Sequence, residues 1–384
     1  MKMSKERRVF LIRNVGPEQY GGGETYQIKL GLMFKKYGFR PIIVTSSKGL
    51  SREARDNQID TVEAPYFQRQ NWSGWRNALL PVYFLKQRGL RKWYKQLFQE
   101  YEPVAINVQS RDDWIAATGV AKRMEIKVIW TDHMDLRSWV LDNVNIWYKN
   151  LIGKWVLKCA HKADKIVMIS DYERKSFEKK VLPQKFNNII TIKNGVEDQF
   201  AHYDDIKQKK NSICYVGRIV DYKGIAELIE AFSVVGEKCS DSILNIYGDG
   251  EGYDQYRKMA SGDDKVHFYG RTNEPLKVIA ENEVFVLPSY REGLSLSLLD
   301  AAMMGKRIIA SNVDGNPEVV VDKETGLLVP ARNASKLAEA MIWMLENRKE
   351  AGKMAKNARK RYEEKFDFDK IFEEKMLPLY KTKE

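Results

Sequence analysis

The chain has 384 residues, 43% hydrophobic and 30% charged, which suits a soluble globular protein of two ordinary domains. It holds no run of about 18 apolar residues, which excludes a membrane-spanning helix. Its three cysteines, Cys159, Cys214 and Cys239, are scattered and odd in number, which suggests neither a disulfide frame nor a zinc site and suits a reducing compartment.

The net charge of +12 is uneven. Residues 1–200 carry 35 Lys and Arg against 21 Asp and Glu, an excess of +14, whereas residues 201–384 carry 29 against 31, or −2. The first half is therefore expected to meet something anionic, such as a lipid surface, a charged glycan or nucleic acid. The charged start, residues 1–8, lacks the apolar core of a signal peptide and predicts a cytoplasmic protein.

In chain order, β-branched runs predict strands at 8–12, 41–45, 104–108, 127–131, 165–169 and 189–192, with helical stretches such as 24–36 between them. This alternation predicts βα units in a parallel sheet covered on both faces. The polar segment 196–211 reads as a linker. The pattern then restarts, with strands at 212–216, 242–247, 266–269, 283–287 and 307–310 and helices including 223–235 and 295–304. Two doubly wound, Rossmann-like α/β domains in tandem, facing across a cleft, are predicted. Ligands are expected at the carboxyl ends of the strands.

Two segments carry chemistry. In Val216-Gly217-Arg218-Ile219-Val220-Asp221-Tyr222-Lys223-Gly224 a strand ends and glycines flank a turn before a helix. Free backbone N–H groups at the helix start suit phosphate. Arg218 can hold two phosphate oxygens and Lys223 adds a point charge, so that together they nearly balance a diphosphate. Both side chains are expected to face the cleft, although a solvated turn would use the same residue types. In the second segment, Leu287-Pro288-Ser289-Tyr290-Arg291-Glu292 leads into Gly293-Leu294-Ser295 and then a small-residue helix holding Asp300 among Leu298, Leu299, Ala301 and Ala302. A carboxylate in such a setting is costly unless it is paired or binds a ligand, and carboxylates chelate the vicinal hydroxyls of sugars and ribose.

These two segments resemble the donor-site motifs of the family 4 glycosyltransferases (glycosyl transferases group 1), which have the GT-B fold. The resemblance implies that Gly217, Arg218 and Lys223 grip the donor diphosphate. It makes Glu292 the acid near the donor sugar, and Asp300 the acid that binds ribose. Asp300 stands where the family has Glu, one methylene longer. Gly293-Leu294-Ser295 replaces Gly-Phe-Gly beside the sugar.

The likeness continues through Tyr247-Gly248-Asp249-Gly250, a Gly-x-Gly turn, and Phe268-Tyr269-Gly270-Arg271, the loop that frames the base. It extends to Gly305 with the strand from Arg307, to Thr325-Gly326-Leu327-Leu328-Val329, a hairpin, and to residues 366–384, a terminal helix crossing back to the first domain. In the first half, Tyr20-Gly21-Gly22-Gly23-Glu24 matches the glycine-rich loop. His133, in Trp130-Thr131-Asp132-His133, matches a histidine near the donor sugar. Thr191-Ile192-Lys193-Asn194-Gly195-Val196-Glu197 matches the domain junction. The implied domains are 1–200, acceptor side, and 201–365, donor side, followed by the terminal helix.

The implied function is transfer of a sugar from a nucleoside-diphosphate donor, a UDP-sugar, to a glycan or lipid-linked acceptor, with retention, in cell-surface polysaccharide or glycolipid synthesis. A non-catalytic nucleotide- or carbohydrate-binding protein, or another GT-B enzyme such as a sugar-nucleotide epimerase, would share much of this pattern. Arg218, Lys223 and Glu292 together favour transfer.

No Asp-x-Asp with suitable partners follows a strand, and no metal or other cofactor is expected. Arg218, Lys223 and the start of the helix near Ser295 can carry the leaving diphosphate's charge. The Gly-x-Gly-x-x-Gly fingerprint is absent after the first strand, which argues against a dehydrogenase. Finally, residues 64–99 contain no acid. Trp72, Trp75, Arg76, Arg88, Arg91, Lys92 and Lys95 mix aromatic and basic character there, which suits an anionic membrane at the cytoplasmic face or an anionic acceptor. Stacking on nucleic acid is not expected. A helix with buried aromatics and solvated charges would look similar.

Overall fold

Apolar strand runs can be continuous only where both faces of a sheet are covered, and they are so here. The computed structural model describes residues 6–18, 20–65, 80–133, 136 and 150–381. In the first half these runs form β1 (Arg8–Ile12), β2 (Arg40–Thr45), β3 (Asp60–Glu63), β4 (Ala105–Val108), β5 (Lys127–Asp132), β6 (Lys165–Met168) and β7 (Ile189–Thr191). All pair in parallel, in the order β3-β2-β1-β4-β5-β6-β7.

The second half gives β8 (Lys209–Val216), β9 (Ile243–Tyr247), β10 (Val266–Gly270), β11 (Asn282–Leu287), β12 (Arg307–Ser311) and β13 (Leu327–Val329). These too are all parallel, in the order β10-β9-β8-β11-β12-β13. In each sheet the first strand sits centrally, between neighbours whose connections run in opposite directions. The carboxyl ends of β1 and β4, and of β8 and β11, are thus the two switch points at which such sheets leave room for a ligand.

Three expectations differ from the structure. Strand β3, Asp-Thr-Val-Glu, has one large apolar residue and lies at a sheet edge, so no hydrophobic run announces it. The Thr325–Val329 stretch is not a hairpin, because β13 adds in parallel to β12. The terminal stretch is not one helix. The long helix Arg348–Lys365 stops at Phe366, where Val196 N–H donates to Phe366 O and Phe368 N–H donates to Val196 O, a strand-like bridge that diverts the chain. Short turns then follow, Phe368–Ile371, Phe372–Met376 and Leu377–Leu379, the last holding Pro378.

The chain forms two compact units. One comprises residues 1–169, 173–192 and 372–384, and the other residues 170–172 and 193–371. The changeover falls at 192/193, earlier than 200/201, because the junction residues are anchored in the second unit. Lys193 Nζ lies 2.7 Å from Glu318 and 3.1 Å from Asp171. A Cβ on Gly195 would come within 2.6 Å of Phe366 O, so only glycine lets the backbones pass there. Residues 372–381 instead pack in the first unit. The rings of Phe372 and Tyr380 meet Phe34 edge-on at 5.1 and 4.6 Å.

The first unit's core is largely aromatic. Trp114 and Trp130 stack at 5.2 Å, beside Tyr94 and Phe98 from the helix Leu80–Tyr101. Asp113 is buried with them. Its carboxylate accepts from Ser110 Oγ at 2.5 Å and from Tyr94 Oη at 2.6 Å. Burial nonetheless pushes its pKa up to about 7, with Asp112 adding to the rise. An acid whose pKa is raised on folding holds its proton more tightly in the folded state, so stability falls as pH rises from about 4 towards 7. Asp113→Asn should remove this slope. Between pH 5 and pH 8 the variant should gain on the order of 2 kcal/mol relative to wild type. Denaturant midpoints of both proteins at the two pH values measure this. An unchanged difference would contradict it.

Candidate functional site

At the second switch point the loop after β8 turns through Asp221–Lys223 and enters the helix Ile225–Lys238 at Gly224. Gly224 has φ +71°, and a Cβ there would lie 2.2 Å from Pro288 O. Only glycine allows this contact between the loops after β8 and β11. Tyr290 N–H donates to Tyr222 O at 2.7 Å across the same seam. The loop after β9 joins at Gly248, φ +144°, where a Cβ would collide with Gly217 O.

This seam brings the charges together. Lys223 Nζ lies 2.5 Å from Glu292 Oε1, and Ser289 Oγ donates to the same oxygen at 2.7 Å. The Lys223 and Glu292 side chains are only 12% and 8% exposed. Lys223, expected to be a cleft-facing charge, is instead committed to a carboxylate. Arg218 is exposed. Its guanidinium donates to Tyr222 Oη, while Tyr215 Oη donates to Arg218 O at 2.7 Å and so fixes the turn. Burial, reinforced by the Glu292 carboxylate, holds the Tyr215 hydroxyl well above its usual pKa.

Other residues read from the sequence take defined places. Gly293 and Leu294 are buried in the loop after β11, and Ser295 caps the helix Leu296–Met303 by accepting from Leu298 N–H. Asp300, half-buried on that helix, lies near enough to Tyr362 for its charge to help hold that hydroxyl's pKa up, although burial is the main cause. It thus sits on the flank where Tyr362 Oη donates to Val196 O. Arg271 is exposed just after Gly270, and the preceding Tyr269 stacks its ring on that of Tyr247 at 4.5 Å.

Sequence reasoning missed Asp314, whose Oδ2 accepts Glu292 N–H at 3.0 Å from a left-handed backbone at φ +48°. The Asp-Gly pair at 314–315 was the available signal. Ser289 and Tyr222 stand in the two motifs, and their contacts follow from the fold rather than from the local sequence.

In the first unit, Gly22 and Gly23 open the helix Gly22–Lys36, and Arg13 packs over Gly23 and pairs with buried Glu24 at 3.0 Å. His133 follows β5, with Nε2 3.0 Å from Gln109 Oε1 and its ring edge-on to Tyr26 at 5.0 Å. Gln109 had no signal as a single polar residue at a strand end.

On the helix Leu80–Tyr101, Tyr83, Tyr94 and Phe98 are buried, as a structural helix would have them. Arg88, Lys92 and Lys95 are exposed, as are Phe84 and Leu85, the latter at 68%. Arg91 is half-buried over the Trp155 ring at 4.9 Å. Trp72, Trp75 and Arg76 lie outside the described residues. Among the described residues, no three His, Cys, Asp or Glu side chains are grouped to hold a metal ion, and no helix is long and apolar enough to cross a membrane.

Residues 20–200 match the family described as Glycosyltransferase Family 4, and residues 198–361 match Glycosyl transferases group 1. An uncharacterized glycosyltransferase of Methanocaldococcus jannaschii is 28% identical over 65% of this chain and 66% of its own length. The N,N'-diacetylbacillosaminyl-diphospho-undecaprenol alpha-1,3-N-acetylgalactosaminyltransferase of Campylobacter jejuni is 28% identical over 45% of each chain. The chain thus spans about two thirds or less of these relatives' lengths. A glycosyltransferase structure from Rickettsia africae covers 98% of both chains at TM-score 0.78 and 18% identity. Anabaena HepE in complex with UDP and glucose covers 97% of this chain and 99% of its own at TM-score 0.74 and 15% identity. The fold is GT-B, with two Rossmann-like parallel-sheet domains.

Because Lys223 and Glu292 are nearly buried together, removing one strands the other. Lys223→Met should cost on the order of 3 kcal/mol, and Lys223→Met with Glu292→Gln should cost less than the two singles added. Arg218→Ala, at an exposed site, should leave stability within about 0.5 kcal/mol. Denaturant titration of the four variants tests this, and strict additivity of the pair would contradict the contact.

Proposed function

The chain belongs to the family 4 (group 1) glycosyltransferases, and we propose that it moves one sugar from a nucleoside-diphosphate donor to a glycan or lipid-linked acceptor. The donor we infer is a UDP-sugar and the setting cell-surface polysaccharide or glycolipid synthesis, with retention of anomeric configuration as the resemblance implies. The observation that carries this reading is the meeting of Lys223 and Glu292 at the switch point of the second sheet, with exposed Arg218 beside them. HepE, a likeness of fold, is named as bound to UDP and glucose, and the Campylobacter relative as acting on a diphospho-undecaprenol-linked sugar.

In this reading Arg218 takes two phosphate oxygens, Lys223 bridges the phosphate to Glu292, and the start of the helix Leu296–Met303 faces the charge that develops on the leaving group. No metal is required for that role. Glu292 receives both its neighbours on Oε1, which leaves Oε2 for a sugar hydroxyl. By the resemblance, Gly248, Gly293, Leu294, Ser295 and Arg271 of the second unit belong to the donor's path and Asp300 binds ribose, while Gly22, Gly23 and His133 of the first unit are given a donor role by the same resemblance. We place the protein in the cytoplasm, peripherally at the inner face of the membrane through Arg88, Lys92, Lys95 and the exposed Phe84 and Leu85.

Release of free UDP from a panel of UDP-sugars is the direct test. Arg218→Ala should cut turnover at least tenfold, about 1.4 kcal/mol, for a lost charge-assisted contact. Asp300→Ala should raise the donor KM, and Asp300→Glu should keep or improve it. Full activity in Arg218→Ala would remove the diphosphate site.

Membrane docking is tested by co-sedimentation with anionic and neutral vesicles. Each basic residue near an anionic surface contributes on the order of 1 kcal/mol, screened beyond about 8 Å at physiological salt. Replacing Arg88, Arg91, Lys92 and Lys95 by Gln should abolish binding to anionic vesicles. Wild type that ignores such vesicles at low salt would end the membrane reading and leave a soluble anionic acceptor.

A further inference from the structure

A polar chain runs through the interior of the first unit and ends on His133. Gln109, Asn107, Thr131 and Tyr380 are all buried, and Tyr380 comes from the far end of the sequence. Asn107 Nδ2 donates to Thr131 Oγ1 at 3.0 Å and to Tyr380 Oη at 2.5 Å. Its two amide hydrogens are thereby used, and its Oδ1 accepts from Gln109 Nε2 at 2.9 Å. Gln109 Oε1, at the other end of its amide, meets Gln27 Nε2 and His133 Nε2.

We propose that Gln109 is the positioning residue of His133, holding the imidazole in one orientation with its proton on Nε2, and that Asn107 and the Tyr380 hydroxyl hold Gln109. A carbonyl oxygen can only accept, so the nitrogen facing it carries hydrogen, and in the neutral ring the lone pair is then on Nδ1. Tyr26, edge-on at 5.0 Å, limits rotation of the ring. Each member is buried, so reversing one amide would oblige the next to reverse or lose its bond. Charged groups lie beside the chain among the described residues. Asp132 accepts Leu136 N–H at 3.1 Å, and Arg13, paired with Glu24, donates to Gln109 O at 3.3 Å. Tyr380, just after the turn Leu377–Leu379, thereby supports a histidine at the end of β5. The effect on turnover rests on the transfer reading above; the state of the ring does not.

The full chain has four histidines, so labelled-histidine NMR gives four imidazoles, and His133→Gln identifies one of them. Wild type should show His133 as a single Nε2–H tautomer. Gln109→Glu puts a carboxylate against that N–H, favours the imidazolium and should raise the His133 titration midpoint by at least one pH unit. Gln109→Met and Tyr380→Phe, which introduce no buried charge, should each bring in the Nδ1–H tautomer, Tyr380→Phe less so. With a UDP-sugar, the pH profile of kcat in Gln109→Glu should move with the midpoint, while the donor KM stays within twofold. An Nδ1–H tautomer in wild type, or a ring unaltered in both Gln109→Met and Tyr380→Phe, would overturn the proposal. If no UDP-sugar is turned over by wild type, the transfer reading fails while the NMR result still decides the positioning.

Discussion

The contact between Lys223 and Glu292 is a contact between two loops that the strand order forces together. Strand β8 is flanked by β9 on one side and β11 on the other, so the loops leaving β8 and β11 emerge side by side with nothing from the sheet between them. Backbone fills the gap first, Gly224 against Pro288 O, and the side chains follow. Without a glycine at 224 the seam would open, and Lys223 would lose the geometry that makes it more than a surface charge. Ser289 and Asp314 then hold Glu292 from two sides, through its Oε1 and its backbone N–H.

The two cations at this switch point differ in kind. Arg218 is exposed and donates to the Tyr222 hydroxyl, so it is available to a ligand at little cost. Lys223 is desolvated and already neutralised by Glu292. A diphosphate bound as proposed would meet one exposed guanidinium and one nearly buried ion pair, and whatever binds Lys223 would be felt by Glu292. The first unit repeats the topology with other chemistry. Its central loops carry the Arg13–Glu24 pair and a chain of neutral amides ending on His133. Hydrogen-bond direction, more than charge, sets the state of that site.

Much of this was legible in the sequence because it is written in local patterns. β1, β2, β4, β5 and β6 are apolar runs buried on both faces, and the turn glycines and the Ser295 cap are local signals of strand-to-helix turns. Lys223 and Glu292 could be chosen individually, by charge beside a turn and by resemblance to a known family. Their ion pair could not, because it spans 69 positions and depends on which strands are neighbours. The same holds for Tyr380 and Asn107, 273 positions apart. Asp314 was missed because Asp-Gly reads as a turn and nothing more. β3 was missed because an edge strand needs no apolar run, and the terminal helix was overextended because the break at Phe366 comes from a tertiary bridge to Val196.

In the proposed function the carboxyl ends of β8 and β11 hold the diphosphate of a nucleotide donor. A crystal structure of the full chain grown with UDP measures this directly. Diphosphate density should lie within hydrogen-bond distance of the Arg218 Nη atoms and Lys223 Nζ, with the Lys223–Glu292 contact retained or shared. Well-ordered UDP with its phosphates bound elsewhere, and the loops after β8 and β11 empty of it, would contradict the account.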